Sequence, residues 1–252
     1  MLRKLPLCLA LLTPVAAHAE GVSVETAVGF ESRYVFRGVQ YAETSFQPAI
    51  TLGYNGFYVG AWLNLPVGDD GGISAALGGE ELDLFAGYSG SFTDIVSYDI
   101  GVTYYTFPEA MSGFGDLYEE DGDGMGSNTV EAYFGVSADV PLSPSIYVYH
   151  DFNFDTTTVE GSLSYSFPLA DKTSLDIGGA VGYVADDAPD DDYLYGSVTA
   201  DIVYAVTDKA SISAGGRFGG SDLPGGSIID ESLGFAFQSS GFWWGVSFSS
   251  TF

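Results

Sequence analysis

Beyond residue 19 the chain contains no cysteine; the single one is Cys8. That excludes disulfides and thiolate metal sites from the exported part of the chain. Basic residues are scarce as well, seven Lys and Arg against 34 Asp and Glu. Such acidity argues against nucleic acid or anionic lipid as partners. It suits a surface or pore that attracts cations, and it suits salty water, where self-repulsion is screened. After residue 19 there is one histidine, His150, and no apolar run long enough to cross a bilayer as a helix. If this chain sits in a membrane, it must do so as a closed barrel, because open sheet edges do not survive in lipid.

What is present begins at the two ends. Met1 to Ala19 carries Arg3 and Lys4, an apolar run from Leu5 to Val15, and Ala17-His18-Ala19. This is a basic, then apolar, then small-x-small pattern, and it predicts a signal peptide over 1–19 and a mature barrel over 20–252. Cys8 lies inside the apolar run, too near the N-terminus for a lipidation site. The last eleven residues, Phe242 to Phe252, alternate strictly. Phe242, Trp244, Val246, Phe248 and Phe252 share one face; Trp243, Gly245, Ser247, Ser249 and Thr251 share the other. That period of two is a strand, and its length suits a tilted bilayer crossing. The segment resembles the terminal strand of bacterial outer-membrane barrels, which implies the barrel-assembly machinery as a partner through Phe252.

The same alternation recurs along the chain. Val22, Val24, Thr26, Val28, Phe30, Tyr34 and Phe36 read as the apolar face of a first strand, with Glu25, Glu31, Arg33 and Arg37 opposite. Asn55-Gly56 is a tight hairpin signal between strands at 46–54 and 57–65. Further strands are expected at 81–89, 96–107, 129–140, 145–154, 157–167, 173–184, 194–206 and 209–218. Short turns at 55–56, 90–94, 141–144, 168–172 and 207–208 alternate with longer loops at 38–44, 66–80, 108–128, 185–193 and 219–241; 155–156 is a short exception. That asymmetry is the mark of an outer-membrane barrel, and a soluble β-sandwich would lack it. Residues 230–238 have strand character, but an odd strand number would leave the two termini on opposite sides. They are therefore assigned to the last external loop. The fold expected is all-β, a transmembrane antiparallel up-and-down barrel of 12 strands, with 14 as the alternative.

Parity also sorts the charges. Glu25, Glu31, Glu81, Asp83, Asp99, Glu131, Asp139, Asp151, Glu160, Asp176 and Asp201 fall on the polar face, as do Arg33, Arg37 and Arg217. A charge facing mid-bilayer lipid costs up to about 2–4 kcal/mol, so this face should line the lumen. Tyr58, Trp62, Tyr105, Tyr133, Tyr147 and Tyr149 should point inward too. The candidate lumen or constriction residues are Arg33, Arg37, Arg217, Glu31, Glu81, Asp83, Asp99 and Glu131. An acidic lumen would concentrate cations. The alternative is a plugged lumen, in which the arginines pair with carboxylates.

Ser32-Arg33-Tyr34-Val35-Phe36-Arg37-Gly38-Val39-Gln40, followed by Gln47-Pro48-Ala49, resembles the S-x-Y-x-F-R-G-x-x-Q … P-A signature of an uncharacterised bacterial outer-membrane family labelled Gcw_chp. Residues 56–62, 81–88 and 98–102 continue it. The resemblance implies a porin-like outer-membrane barrel in a Gram-negative cell envelope, and it implies no settled substrate. Arg33 and Arg37, four apart on one face, would form a positive ladder facing carboxylates, or would pair structurally.

Two acidic loops stand apart. Asp116, Glu119, Glu120, Asp121 and Asp123 surround two glycines. An EF-hand loop starting at Glu119 would need Glu at position 130, which is Val130, so that reading fails. Weak Ca²⁺ or Mg²⁺ binding at Asp116, Glu119, Asp121 and Asp123 stays open beside a plain solvated loop; no other cofactor is expected. Asp186, Asp187, Asp190, Asp191 and Asp192 form the second cluster. His150 lies on the apolar parity near the outer rim, where a lipid-active enzyme would need it, yet no nucleophile motif accompanies it. The reading is a non-enzymatic channel for small hydrophilic, preferentially cationic solutes. The alternatives are a closed structural or adhesive barrel and, less favoured, a lipid hydrolase.

Overall fold

A computed structural model describes residues 21–67, 80–108, 114–117, 128–186, 192–230 and 236–252. Among them the alternating segments form strands joined into one closed antiparallel barrel. In chain order its twelve staves are β1 (Val22–Glu31), β4 (Ser45–Tyr54), β5 (Phe57–Pro66), β6 (Glu81–Ser91), β7 (Val96–Thr106), β8 (Thr129–Ala138), β9 (Ser145–Asp151), β10 (Thr156–Ala170), β11 (Thr173–Ala185), β12 (Tyr193–Thr207), β13 (Ala210–Ser221) and β16 (Ser240–Thr251). Two small hairpins lie outside the staves: β2 (Tyr34–Phe36) with β3 (Val39–Ala42), and β14 (Ile228–Asp230) with β15 (Ala236–Gln238). The described residues of the 230–238 segment thus lie outside the staves, as strand parity required.

The terminal strand closes the barrel against the first one. Glu25 pairs with Thr251 and Glu31 with Gly245. Phe252 itself is in the ladder: its N–H donates to the Val24 carbonyl at 2.9 Å, and the Val24 N–H donates back at 3.2 Å. The closure removes the edges that a sheet cannot expose in lipid. The start of β1, the end of β16 and the short turns lie at one end, the periplasmic end by the usual asymmetry of such barrels. At 55–56 both residues take positive φ, 51° and 88°. That is the two-residue turn whose twist suits a hairpin, and Gly56 supplies the conformation that a side chain resists.

Burial is inverted relative to a soluble protein. Ile50, Leu52, Val59, Ile100, Phe134, Leu163, Val181, Val198 and Trp244 are exposed, whereas Asp83, Glu131, Asp201 and Thr158 are almost completely buried. A continuous apolar exterior of this extent is a lipid-facing belt. Aromatic residues ring it near the short-turn end, among them Tyr54, Phe57, Phe92, Phe167 and Tyr204.

Three expectations are corrected. The first strand does not run to Phe36. It ends at Glu31, because Ser32 makes the last ladder contacts, its N–H to the Trp244 carbonyl and its Oγ accepting from the Trp244 N–H, both at 2.9 Å. The chain then turns inward, so Tyr34 is buried inside the barrel instead of facing lipid. The stave expected over 145–154 stops at Asp151, whose Oδ1 takes the Asn153 and Phe154 N–H groups, each at 2.9 Å, and turns the chain back. Asp139 does not line the lumen. β8 ends at Ala138, and the Asp139 N–H donates to the Ile95 carbonyl in the short turn.

Candidate functional site: a hairpin inside an acidic lumen

Residues 32–44, the first connection at the loop end, fold into the barrel. Phe36 pairs with Val39 across Arg37-Gly38, and both turn residues are left-handed, with φ of 47° and 77°. This is the same two-residue turn type as Asn55-Gly56, here with an arginine where Asn or Gly is usual. A non-glycine residue in that region costs roughly 1–2 kcal/mol, so the contacts of Arg37 must hold it there.

The hairpin reaches across the lumen. Tyr34 donates to Glu81 Oε1 at 3.3 Å and packs on Trp62, ring centroids 5.3 Å apart. Phe36 meets Tyr105 at 6.2 Å. At the tip, a Cβ on Gly38 would lie 2.6 Å from both the Gly220 carbonyl and Tyr195 Cβ, so the backbone touches the far wall and only glycine fits. The Gln40 N–H donates to the Ser227 carbonyl in the last loop at 2.9 Å. One short hairpin therefore contacts staves β5, β6, β7, β12 and β13.

Arg37 anchors it. Nη1 donates to Glu131 Oε2 at 2.6 Å and Nη2 to Glu131 Oε1 at 3.0 Å, while Tyr105 Oη donates to the same Oε1 at 3.1 Å. The guanidinium carbon lies 4.7 Å from the Phe36 ring centre and 4.6 Å from that of Tyr149. Bidentate pairing and ring stacking are both arginine-specific. Burial works against the charge of Arg37, but Glu131, with smaller contributions from Tyr105 and Tyr195, outweighs it and holds the guanidinium above its ordinary pKa range.

The remaining candidates separate into distinct places. Arg217 donates to Asp201 Oδ1 at 2.8 Å and lies 3.2 Å from Glu31 Oε1. This second ion cluster sits where β1, β12, β13 and β16 meet. Asp99 accepts from Tyr58 at 2.7 Å and Tyr147 at 3.4 Å. Asp83 is buried beside Glu81, opposite Trp62. Among the described residues Trp62 Nε1 has no hydrogen-bond partner. Arg33 and Arg37 form no ladder. Arg33 stands at the lip, its Nη1 3.0 Å from where a Cβ on Gly241 would be, whereas Arg37 is at the hairpin tip. The physical reason is the break at Ser32, which ends the strand periodicity that had put both on one face. The sequence reading missed Tyr34, Phe36 and Gly38 as lumen groups. The available signal was Arg37-Gly38 between two β-prone triplets, a weaker turn signal than Asn-Gly.

His150 lies at the loop end, facing outward and half-exposed. Its Nδ1 is 3.1 Å from Thr157 Oγ1, its Nε2 is 4.0 Å from Asp155, and Phe152 packs edge-on. Asp116 is described and exposed; Glu119, Asp121 and Asp123 lie outside the described residues, as do Asp187, Asp190 and Asp191. Among the described residues no group of three His, Cys, Asp or Glu side chains is arranged to hold a metal. Asp192 instead closes its own loop, accepting from the Asp186 N–H at 2.8 Å and from the Tyr183 hydroxyl. Those bonds, the tyrosine's first, lower its pKa.

A closed twelve-stave barrel with a lipid belt outside and carboxylates inside defines an outer-membrane β-barrel protein. The model of the family described as "Bacterial protein of unknown function (Gcw_chp)" matches residues 15–196, and the chain belongs to that family. No curated protein matches the chain. Among solved structures it is similar to the KdgM porin in complex with disordered oligogalacturonate, at TM-score 0.55 and 13% identity, covering 91% of this chain and 99% of that one. It is also similar to the NanC porin, at TM-score 0.56 and 10% identity over 90% and 98% of the two chains. The COG4313 outer membrane channel from Pseudomonas putida F1 gives TM-score 0.53 and 12% identity over 97% and 100%. At these identities the likeness is one of fold.

Proposed function

We propose that this protein is a porin-like outer-membrane channel for small hydrophilic solutes, with a preference for cations, and that the 34–42 hairpin governs its conduction. One observation carries the reading: the inner wall presents Glu25, Glu81, Asp83, Asp99, Glu160 and Asp176 in addition to the carboxylates paired with Arg37 and Arg217. A wall with this excess of negative charge, set in low-dielectric surroundings, raises the local concentration of cations and repels anions. The porin fold supports the reading by analogy of architecture alone.

The test is single-channel recording in planar bilayers, with reversal potentials measured across a KCl gradient. Cation selectivity is the expected result; anion selectivity overturns the reading. The hairpin's contact with both walls favours a second reading, a permanently closed structural barrel. The recordings separate the two: silence from both the wild type and a variant lacking 34–42 would leave only the closed barrel.

A further inference from the structure

The surroundings of Arg37 have the chemistry of a binding site. A carboxylate takes two terminal nitrogens of one guanidinium, at 2.6 and 3.0 Å. A tyrosine hydroxyl fixes that carboxylate from behind, and a second tyrosine presents its ring 4.6 Å from the guanidinium carbon. Three of the participants, Glu131, Tyr105 and Tyr149, belong to staves β8, β7 and β9 of the wall. The guanidinium comes from elsewhere, delivered by a hairpin that enters from the loop end.

The wall half of the site is braced by its neighbours on the staves. Glu131 is buried at 2% exposure, and Tyr133, its neighbour on the same face, donates or accepts a 2.5 Å bond with Tyr58 and packs against Tyr149 at 6.1 Å. The occupant half is strained, because Arg37 holds a left-handed φ of 47° to get there. A free solute pays no such backbone cost. Recognition favours guanidinium over ammonium on geometry. Planar paired donors match both carboxylate oxygens and the flat cation lies on the ring, while an ammonium is a compact, strongly hydrated point charge.

We propose that Glu131, Tyr105 and Tyr149 form a guanidinium-binding site which Arg37 fills as a resident occupant, and that guanidinium-bearing cations are the solute class this barrel recognises. A solute carrying such a group competes with Arg37 for Glu131 and so loosens the hairpin. The proposal rests on the channel reading only for the route by which a solute arrives; binding itself does not depend on conduction.

The test is therefore a binding measurement on detergent-solubilised full-length protein. R37G removes the occupant at a position whose backbone suits glycine, and R37N, also tolerant of that φ, serves if R37G does not fold. Methylguanidinium chloride is titrated calorimetrically, with methylammonium chloride as the comparison, and thermal unfolding is followed in parallel. The vacated variant is expected to bind methylguanidinium at least about ten-fold more tightly than methylammonium, in line with the preference of bidentate sites. It should also recover part of any lost Tm on adding methylguanidinium. Adding E131Q should abolish both effects, and the wild type, in which the solute must displace Arg37, should bind methylguanidinium measurably but more weakly than R37G does. Equal binding of the two cations, or binding that survives E131Q, overturns the proposal. A failure of conductance with intact methylguanidinium binding would count against the channel reading and leave this site standing.

Discussion

The two sides of the lumen are furnished differently. Staves β5 to β9 carry Tyr58, Trp62, Phe85, Tyr105 and Tyr133, all buried, with Tyr147 and Tyr149 packed against them. Staves β10 to β13, with β16, carry Ser162, Ser164, Ser166, Ser197, Ser211, Ser247 and Ser249, which stay partly open inside the barrel. On the first side rings replace water, and phenols serve the carboxylates. On the second side, apart from Tyr195, Trp243 and the Arg217 ion cluster, the groups are small and their hydroxyls pair with one another, as in the 2.8 Å contact of Ser213 with Ser247. A barrel of this strand number has an interior narrow enough for large side chains to fill. Filling one side and sparing the other makes the small side the route that the proposed channel would use. The hairpin joins the two at the loop end, anchored on the aromatic side through Glu131 and touching the small side at Tyr195 and Gly220.

The strongest way to break this comparison is to remove the bridge. Replacing Tyr34–Ala42 by a short Gly-Ser turn should raise single-channel conductance at least about ten-fold, because the cross-section becomes that of a twelve-stave barrel filled on one side only. An unchanged conductance would mean the aromatic side, and not the hairpin, closes the lumen. In that opened barrel, Ser247→Trp should cut conductance several-fold, whereas Tyr133→Trp should change it little. Equal effects of the two would dissolve the distinction between the sides.

The same comparison explains what could be read from the chain. Membership of a stave was legible, because alternation such as Phe242-Trp243-Trp244-Gly245-Val246 carries face assignment directly. Glu81, Asp83, Asp99 and Glu131 were placed inward by parity alone, and they are buried there. The hairpin was not legible as such. Tyr34 and Phe36 continue the parity of Val28 and Phe30, so periodicity extended the strand through them. What ends it is the Ser32 bond to Trp244, a contact 212 residues away that local pattern does not report. Pairing of the arginines with carboxylates was one of the two readings the sequence allowed, but the partner of Arg37 was hidden for the same reason. Arg37 and Glu131 are 94 residues apart, brought together only by closure and by the inward turn.

Stability should divide along the same line. On the aromatic side Tyr58, Phe85, Tyr133 and Tyr147 each lie over a glycine of a neighbouring stave. A Cβ on Gly101 would stand 2.3 Å from Tyr133 Oη, and one on Gly87 would stand 2.3 Å from Tyr58 Oη. Gly101→Val therefore pushes Tyr133 off its seat and breaks its 2.5 Å contact with Tyr58. Overpacking of this kind costs about 1–3 kcal/mol, which urea unfolding in detergent micelles would register. A loss below the precision of that measurement would show that the aromatic side is not tightly packed.

Ser213→Ala tests the other side and should do least. Ser213 is buried, yet among the described residues its hydroxyl bonds only Ser247, whose own side chain remains partly open to the lumen. Removing one partner of a buried pair is damaging when the other is left dry, and then costs about 1–3 kcal/mol. Here Ser247 can turn to water, so the loss should be below about 1 kcal/mol, within the net worth of an ordinary hydrogen bond. The informative quantity is the ratio of the two losses. If Ser213→Ala matched Gly101→Val in the same urea series, Ser247 would be sealed from water, and the small side would be as dry as the aromatic one. No aqueous passage could then run along it, whatever the hairpin does.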